Sequence, residues 1–455
     1  MASVLLVDKL DPQSGTALEL GTSGDTVTVP SGVGLTLTDS TLLLPTTITS
    51  TTEVKTNKVS PATGVAFALG DSGDTFTVPS GATIVNSGTA TGFGITATSF
   101  RPNVNPLIIN GDMAVIQRAQ TVTGITSDSF NTCDRWYVRA TNGGTWTQTQ
   151  EALTADEAYE DGFSKALKMD CTTADASLGA GDYIRMLQRI EAQDLQLLKF
   201  GSSTSATLTL GFWVKATKTG TYIVELYQPD DDRSCSKSYT IDATDTWEFK
   251  VLNYPADTTG VIDNDNDTGL TVTFWMAAGT DYTSGTLNET WNSTVAANRA
   301  VGQVNAADST SNNFHITGVQ LEVGEYTSAD LPPFQHESYG DNLMRCFRYY
   351  FKMTRDTTNQ AVGMGRYWST TSGGGMFNFP VPMRGAVTMD FVNGTSYFTA
   401  SVQGENDYFD GCTQNDYGPT TSGWYMSGGG GVTTATGFIC MTNNSLAVCA
   451  WKSEL

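Results

Sequence analysis

The stretch ATLTLGFWVKAT, residues 206–217, places a large apolar side chain at every second position. This period of two predicts a β-strand with one buried face. Clusters rich in Gly, Asn and Asp separate it from other segments with the same alternation, and strands at such spacing are typical of an antiparallel β-sandwich. Those segments are GTYIVELYQ (220–228), SKSYTIDA (236–243), TWEFKVLNYP (246–255), TGLTVTFWMAAG (268–279) and FHITGVQLEVG (314–324). AQDLQLLKFG (192–201) predicts a single turn or short helix that ends at Gly201.

The composition favours an all-β protein. Charged residues make up 16% of the 455 residues, and Gly occurs 46 times. The net charge of −22 argues against nucleic-acid binding, because affinity for phosphates needs Lys and Arg to displace counterions. The start MASVLLVDKLDP does not fit a signal peptide, and no apolar run is long enough to span a membrane. We therefore expect synthesis in a cytoplasm and no membrane insertion.

Histidine and cysteine offer little material for catalysis. The two histidines are His315, expected to pack within a strand, and His336, expected to be exposed in a connector. The seven cysteines show no CxxC pair or zinc spacing, which favours free buried thiols over a disulfide framework. No sequence spacing singles out a pair of carboxylates for glycoside hydrolysis. We therefore expect no enzymatic activity.

An internal repeat dominates the N-terminal region. GTSGDTVTVPSG (21–32) returns as GDSGDTFTVPSG (70–81), and each copy predicts a short two-stranded unit. Two such units present an apolar stripe with no covering layer, and isolated hairpins are marginal in water. The simplest source of the missing layer is other copies of the same chain, which predicts an intertwined homotrimer. The alternative is a monomeric hairpin meander packed on the next domain.

Four phrases in the middle of the chain carry a resemblance. They are NPLIINGDMAVIQR (105–118), CDRWYV (133–138), YIRMLQRIEAQDLQLLKFGSSTSATLTLGFWVKAT (183–217) and HITGVQLEVGEYTSADLPPFQHESYGDNLMRCFRYY (315–350). Together they resemble the jelly-roll module of tail-fibre and appendage proteins of tailed bacteriophages, which is itself similar to carbohydrate-binding modules of the galactose-binding type. The N-terminal repeat also resembles the fibre shafts of phages of marine bacteria.

The resemblance implies a virion fibre protein, located in the tail or another appendage. It mediates attachment to the host through multivalent binding of a surface glycan or receptor. We expect three domains: a repeated β shaft and virion-attachment region (1–104) that contacts other virion proteins, a jelly-roll sandwich (105–338), and a small C-terminal β-sandwich tip (339–455). The alternatives are a head or tail decoration fibre without receptor contact, and a polysaccharide depolymerase tailspike.

The C-terminal region contains the candidate ligand-binding residues. LMRCFRYYFKM (343–353) predicts another strand, with Arg345 and Arg348 in cation–π contacts with the neighbouring tyrosines. The segment 396–430 mixes aromatics with Asn, Asp, Gln and Gly without periodicity, which predicts binding loops whose rings stack on sugars. The alternative is a surface loop whose rings fold back on the domain or bury at a subunit contact. The candidates are Tyr408, Asn415, Asp416, Tyr417, Trp424 and Tyr425, followed by Tyr367 and Trp368.

One acidic turn is a candidate metal site. In DNDND, Asp263, Asp265 and Asp267 stand at alternate positions, a spacing that Ca²⁺ can use. The turn does not fit an EF-hand loop, because Gly269 falls one position late and Phe274 occupies the position of the bidentate acid. A solvated acidic turn is the favoured interpretation. Apart from this possible calcium ion, we expect no cofactor.

Overall fold

The computed structural model describes residues 105–354, 357–402, 405–429 and 437–455. These residues form mainly β-strands, which confirms the predicted all-β class. The repeat within residues 1–104, and the homotrimer inferred from it, lie outside the described residues and stay predictions.

Residues 105–338 form a sandwich of two antiparallel sheets. The strands are β1 (Thr121–Ile125), β2 (Ser129–Phe130), β3 (Tyr137–Thr141), β4 (Thr145–Ala152), β5 (Lys165–Thr173), β6 (Tyr183–Glu191), β7 (Leu208–Ala216), β8 (Gly220–Gln228), β9 (Arg233–Ile241), β10 (Glu248–Tyr254), β11 (Thr268–Ala278), β12 (Asn292–Ser293) and β13 (Asn313–Val323). The spatial orders are β1–β4–β5–β13–β7–β10 and β12–β9–β8–β11–β6–β3–β2. Every strand segment predicted from alternation overlaps an observed strand.

The helical elements of the sandwich are short. They are α1 (Glu157–Glu160), α2 (Thr280–Thr283) and the 3₁₀ segments Ala192–Leu198 and Ala296–Asn298. The first 3₁₀ segment confirms the predicted short helix but not its predicted end at Gly201, because the helix ends at Leu198 with Lys199 as a left-handed cap.

The core of the sandwich lies between the two sheets, where alternate residues of each strand meet. Phe212 of β7 packs edge-on against Phe274 of β11, with ring centroids 5.1 Å apart. Both central strands β11 and β13 are buried on their outer faces as well. On β11 the covering layer comes from the segment after α2, where Ala300 and Leu287 join a cluster around Trp275. Loops therefore cover part of the outer face of the seven-stranded sheet.

Residues 339–455 form a closed barrel and a small sheet. After α3 (Tyr339–Phe347) come β14 (Tyr350–Lys352), β15 (Ala361–Tyr367), β16 (Gly373–Asn378), β17 (Thr388–Met389), β18 (Phe398–Val402), β19 (Glu405–Tyr417), β20 (Thr421–Gly429), β21 (Gly437–Thr442) and β22 (Ala450–Lys452). Six strands close in the order β15–β16–β20–β19–β18–β21, and β14–β22–β17 form the sheet. The C-terminal β-sandwich that we predicted thus takes the form of a barrel with a sheet packed on it.

The segment 396–430 is not the set of loops that its composition predicted. It supplies β18, β19 and β20, which pair along most of their length. Gly411 takes a strand position here because a Cβ on it would lie 2.2 Å from Cγ of Asn393. The prediction failed because a strand rich in glycine and amides lacks the apolar alternation that marks a half-buried strand.

The strand predicted at 343–353 begins as a helix. Ser338 caps α3 by accepting a hydrogen bond from the backbone N–H of Asp341, and Asp341 lies in the first turn. The cation–π prediction was also wrong about its partners. Tyr349 and Tyr350 stack under Arg135 and Arg118 of the sandwich, at 3.4 and 3.6 Å from the ring centroids.

A buried polar seam joins the sandwich to the barrel, and both fall in one compact unit. Glu191, at the end of β6, accepts hydrogen bonds from Arg348 Nε and Nη2 at 2.6 Å each, and from the Tyr349 hydroxyl at 2.5 Å. Burial alone would raise the pKa of Glu191, but these hydrogen bonds hold it below its ordinary value. Arg118 and Arg135 bind the two carboxylate oxygens of Glu454.

The sparse histidines and cysteines lie as predicted. His315 is buried in β13 and His336 is exposed in the connector before α3. All seven cysteines are free and buried, which confirms the prediction of unpaired thiols. Burial raises the pKa of Cys235 to about 12. None of the helices in the described part of the chain is long and apolar enough to cross a bilayer.

Candidate functional site

A cavity of about 720 Å³ lies on the barrel where β15, β16 and β20 run side by side. We call it the barrel cavity. Three groups of residues line it: glycines, apolar or aromatic side chains, and one arginine. They are Met364, Gly365, Arg366, Trp368, Gly374, Gly375, Met376, Gly423, Trp424 and Tyr425.

Two exposed rings form a corner at the barrel cavity. Trp368 and Tyr425 are 45% and 38% exposed, and their rings meet edge to face with centroids 5.2 Å apart. Trp368 leaves the end of β15 in a turn that its backbone N–H closes by donating to the carbonyl of Ser372. Tyr425 projects from β20 opposite Gly374 of β16. The fold thus brings together two residues that the sequence had singled out.

Position 374, beneath this corner, requires glycine because neighbouring atoms approach its backbone closely. A Cβ on Gly374 would lie 2.2 Å from the carbonyl oxygen of Trp424 and 2.7 Å from Cη2 of Trp368. The Trp368 ring can therefore rest directly on the backbone of β16. No other residue fits this position without moving the ring.

Two of the predicted ligand-binding residues face the barrel interior instead. Trp424 and Tyr367 are both buried, and both belong to the barrel core. The Tyr367 hydroxyl donates to Asp407 Oδ2 at 2.8 Å, and burial together with that hydrogen bond raises the pKa of Tyr367. Trp424 still borders the cavity with its ring, while its Nε1 has no hydrogen-bond partner in the described residues. Of these two residues, only Trp424 is part of the cavity lining.

The other predicted residues lie on β19. Tyr408 is exposed, in the register position opposite Thr399 of β18, and does not line the barrel cavity. The backbone of Asn415 pairs opposite Gly423, and that of Tyr417 opposite Ser422. Asp416 falls at the irregularity between them. A role in ligand binding stays a prediction for these four residues.

Three lining residues were missed by sequence reasoning. Met364 and Met376 are the most exposed large apolar side chains of this face, and Arg366 is its one cation among the described lining residues. Met364 and Arg366 stand at alternate positions of β15, between glycines. This alternation of large residues with glycine also indicates a strand, but here the larger side chains lie on the outer face of the barrel and not on the inner one.

The lining chemistry suits binding rather than hydrolysis. Glycoside hydrolysis needs two carboxylates across the scissile bond. The described residues that line the barrel cavity include no Asp, Glu, His or Cys. What they offer is three aromatic residues, two thioethers and a guanidinium.

The acidic turn of Asp263, Asp265 and Asp267 serves the structure in another way. The Asp265 side chain accepts from the backbone N–H of Asp267 at 2.9 Å, and Asp267 pairs with Arg384 of the barrel at 3.1 Å. Among the described residues, no three His, Cys, Asp or Glu side chains gather as metal ligands. The structure thus does not unite the three carboxylates in one site, and calcium binding stays an untested prediction.

Comparison with known proteins gives only loose likenesses. No family model and no curated protein matches the sequence. Similar solved structures include the enzymatically active domain of bacteriophage CBA120 tailspike protein 4, at 13% identity and a TM-score of 0.24, covering 48% of this chain and 21% of that chain. A family 11 carbohydrate-binding module from Clostridium thermocellum, in complex with a mixed-linked tetrasaccharide, matches at 12% identity and a TM-score of 0.23, covering 47% and 99%.

A third structure contains the CBM22-1–GH10 modules of a Clostridium thermocellum endo-1,4-β-D-xylanase complexed with xylohexaose. It matches at 13% identity and a TM-score of 0.22, covering 46% of this chain and 30% of that chain. This chain spans about a fifth of the tailspike domain's length. At these scores the likenesses support no functional conclusion, which has to come from the site itself.

Proposed function

We propose that this chain is a fibre protein of a tailed-phage virion and binds host-surface glycans through the barrel cavity. The observation that carries the binding role is the corner of Trp368 and Tyr425 over a glycine backbone. Sugar rings present flat C–H faces that pack on aromatic side chains, and an arginine beside them can donate to hydroxyls. The resemblance of residues 105–350 to the jelly-roll of phage fibres supports the virion assignment.

The exposure of this face also supports a binding role. Met364, Met376, Trp368 and Tyr425 together form a contiguous apolar surface around the cavity. Soluble proteins rarely leave such a surface uncovered unless it meets a ligand or a partner. The size of the cavity, about 720 Å³, is within the range of small-ligand sites.

A glycan array printed with bacterial surface polysaccharides tests the proposal. We expect the full chain to bind at least one printed glycan, and Trp368→Ala to lower the signal about tenfold because a stacking surface is removed. Tyr159→Ala is the matched control, since Tyr159 is as exposed as Trp368 but lies on α1 of the sandwich. No binding on the array, or equal loss in both variants, would contradict the proposal.

A subunit contact is the second candidate for this face. Met364 of β15 lies directly opposite Ile439 of β21, and both side chains are exposed. An apolar stripe across neighbouring strands also suits the predicted homotrimer. Met364→Glu separates the two candidates: a fall in native mass from three chains to one assigns the face to assembly, whereas an unchanged mass with weaker glycan binding assigns it to the ligand.

The depolymerase alternative has its own test. We expect no new reducing ends when the protein is incubated with a polysaccharide that it binds, because the described residues that line the cavity include none of the carboxylates that hydrolysis needs. Release of reducing ends would replace the binding role with an enzymatic one.

A further inference from the structure

A second cavity, of about 210 Å³, lies on the outer face of the seven-stranded sheet. We call it the arginine cavity. Its lining contains one carboxylate, from Asp232, against four guanidinium groups. They belong to Arg139, Arg185, Arg189 and Arg299. In a chain with 25 basic and 47 acidic residues, this is a marked local reversal of charge.

The strand pattern explains how the arginines converge. On β6, Ile184 and Met186 point into the sandwich core, so Arg185 and Arg189 project from the opposite face. On β3, Arg139 lies directly opposite Arg185 in the antiparallel register. Arg299 comes from the segment that covers the sheet.

Two of the four arginines donate hydrogen bonds to acidic side chains. Arg299 donates Nε and Nη2 to the two oxygens of the fully buried Glu225, at 2.6 and 2.9 Å. Arg139 donates Nε to Asp128 at 3.0 Å. The Asp232 carboxylate accepts from the Tyr227 hydroxyl at 3.1 Å. The acids near the cavity are thus already engaged.

Arg185 is the arginine with an unsatisfied buried donor. Its side chain is only 6% exposed, and its Nε has no hydrogen-bond partner among the described residues. Its Nη1 lies 3.9 Å from Glu225 Oε2, which is beyond hydrogen-bond distance. Burial, and then the charge of Arg299, lower the pKa of Arg185 to about 10. The guanidinium is held in place by packing 4.6 Å from the centroid of the Trp275 ring.

A second orphaned polar atom borders the same cavity. The hydroxyl of Thr294 is buried without a partner in the described part of the chain, and Thr271 and Thr273 also line the wall. Buried polar groups usually find partners, so two unmet groups at one cavity point to a polar ligand. At about 30 Å³ per water, 210 Å³ accommodates about seven waters, the scale of one sugar residue rather than a chain.

We propose that the arginine cavity binds an oxyanion, a carboxylate or sulfate group, carried by an acidic sugar. Arg185 and Arg139 hold the oxyanion through charge-assisted hydrogen bonds, and the threonine hydroxyls meet the sugar's own hydroxyls. The cavity shares no residue with the barrel cavity, so this inference stands independently of the glycan site proposed there. It gives a negatively charged chain one place where an acidic polysaccharide is attracted.

Calorimetric titration of the full chain at constant ionic strength tests this inference. The probes are sodium glucuronate, glucose and sodium sulfate. We expect glucuronate to bind, glucose not to bind, and sulfate to compete with glucuronate. Arg185→Gln should weaken glucuronate binding about tenfold and Arg139→Gln about threefold, because the first loses a buried donor and the second an exposed one.

The controls separate this site from charge in general and from the barrel. Lys452→Gln removes one positive charge from a residue of β22, in the small sheet, whose side chain is 47% exposed, against 36% for Arg139, and should leave the affinity unchanged. Trp368→Ala should also leave it unchanged. Because Arg185 packs on Trp275, circular dichroism checks the fold of its variant, and Arg139→Gln carries the test if that variant unfolds.

Three results would overturn the inference. Glucose binding as well as glucuronate would remove the role of the charge. Unchanged glucuronate affinity in the folded arginine variants would remove the site. Sulfate binding without glucuronate binding would leave a simple anion site and rule out the sugar.

Discussion

The sandwich and the barrel reach a β-fold by different use of sequence. In the sandwich, strands such as Leu208–Ala216 alternate large apolar residues and bury them between two sheets. In the barrel, Gly373–Asn378 and Thr421–Gly429 are rich in glycine, and the inner side chains close around a small core. The sandwich therefore has apolar area to spare, whereas the barrel depends on a few large rings and on its contacts with the sandwich.

The outer surfaces differ in the opposite sense. Loops and ion pairs cover much of the sandwich, so its polar outer face is partly closed around the arginine cavity. The barrel leaves Met364 and Trp368 open to solvent. The barrel thus combines a small core with an uncovered apolar face, and the predictions below test that contrast with the sandwich.

The largest effect on stability is expected from the aromatic cluster around Trp451 of β22. Trp451 packs against Phe351, Phe377 and Phe391, and its Nε1 donates to the Ser422 hydroxyl at 2.9 Å. Trp451→Ala should lower the free energy of unfolding by about 4 kcal/mol, because it empties the centre of a small core. Urea unfolding measures the loss of free energy, and limited proteolysis shows which region is lost.

The contrast predicts where that loss is felt. We expect proteolysis of Trp451→Ala to degrade the barrel first and leave a resistant fragment that contains the sandwich. Trp275→Ala, which removes an equally buried indole from the sandwich, is the matched variant. If both variants lost the two regions in a single transition, the barrel and sandwich would be one cooperative unit and the contrast would fail.

The sequence predicts the strands of the sandwich better than those of the barrel. The sandwich strands were predicted because their burial follows directly from a period of two. Strands β19 and β20 of the barrel were not, because glycine has no side chain to pack and gives no local strand signal, so these strands depend on long-range pairing within the barrel. The helix Tyr339–Phe347 was missed although Ser338 and Asp341 form a capping pair, since the arginines and aromatics around it also suit a strand.

The candidate site shows a second limit. Successive residues of a strand point to opposite faces, so the rings of adjacent aromatics such as Trp424 and Tyr425 cannot both be exposed on the outer face. Sequence reasoning named both. It lacked the register, which only the pairing of β16 with β20 supplies. The arginine cavity was missed for a related reason, since its four arginines come from two separate strands and a covering loop.

The next effect concerns the seam between the two regions. Glu191→Gln should lower the free energy of unfolding by about 3 kcal/mol, because it removes the charge that Arg348 and the Tyr349 hydroxyl bind. The unfolding curve, monitored by tryptophan fluorescence, should change from one transition in the wild-type chain toward two in the variant. The control is Glu160→Gln, an exposed acid on α1. Equal unfolding curves for the two variants would show that the seam does not couple the regions.

A smaller effect is expected where the exposed face meets the backbone. Gly374→Ala places a methyl group against the Trp424 carbonyl and the Trp368 ring, and should destabilise the chain by about 2 kcal/mol. It should also weaken glycan binding, since Trp368 has to move. Gly418→Ala is the control, because a Cβ at Gly418 meets nothing within 4 Å. Thermal unfolding of the pair decides it, and equal melting temperatures would show that the close approach is relaxed in solution.

The smallest effect is a pH dependence confined to the sandwich. Burial lowers the pKa of His315 from its ordinary 6.5, although its Nε2 lies 3.1 Å from a Glu151 carboxylate oxygen. The unfolded chain then takes up a proton more readily than the folded one as the pH falls below 6.5, so His315 makes the protein less stable in that direction. The barrel contains neither of the two histidines and should not share this loss.

Variants of the two histidines isolate this term. Melting temperatures at pH 7.5, 6.5 and 5.5 should fall more steeply for the wild-type chain than for His315→Gln, while His336→Gln, which alters an exposed ring, should follow the wild type. Asp134 acts in the opposite sense, because burial raises its pKa to about 6 and its protonation favours the folded state. Since Asp134 is common to all three proteins, it cancels from the comparison. A slope for His315→Gln equal to that of the wild type would mean that the buried imidazole titrates alike in both states, and that the sandwich and barrel respond to acid in the same way.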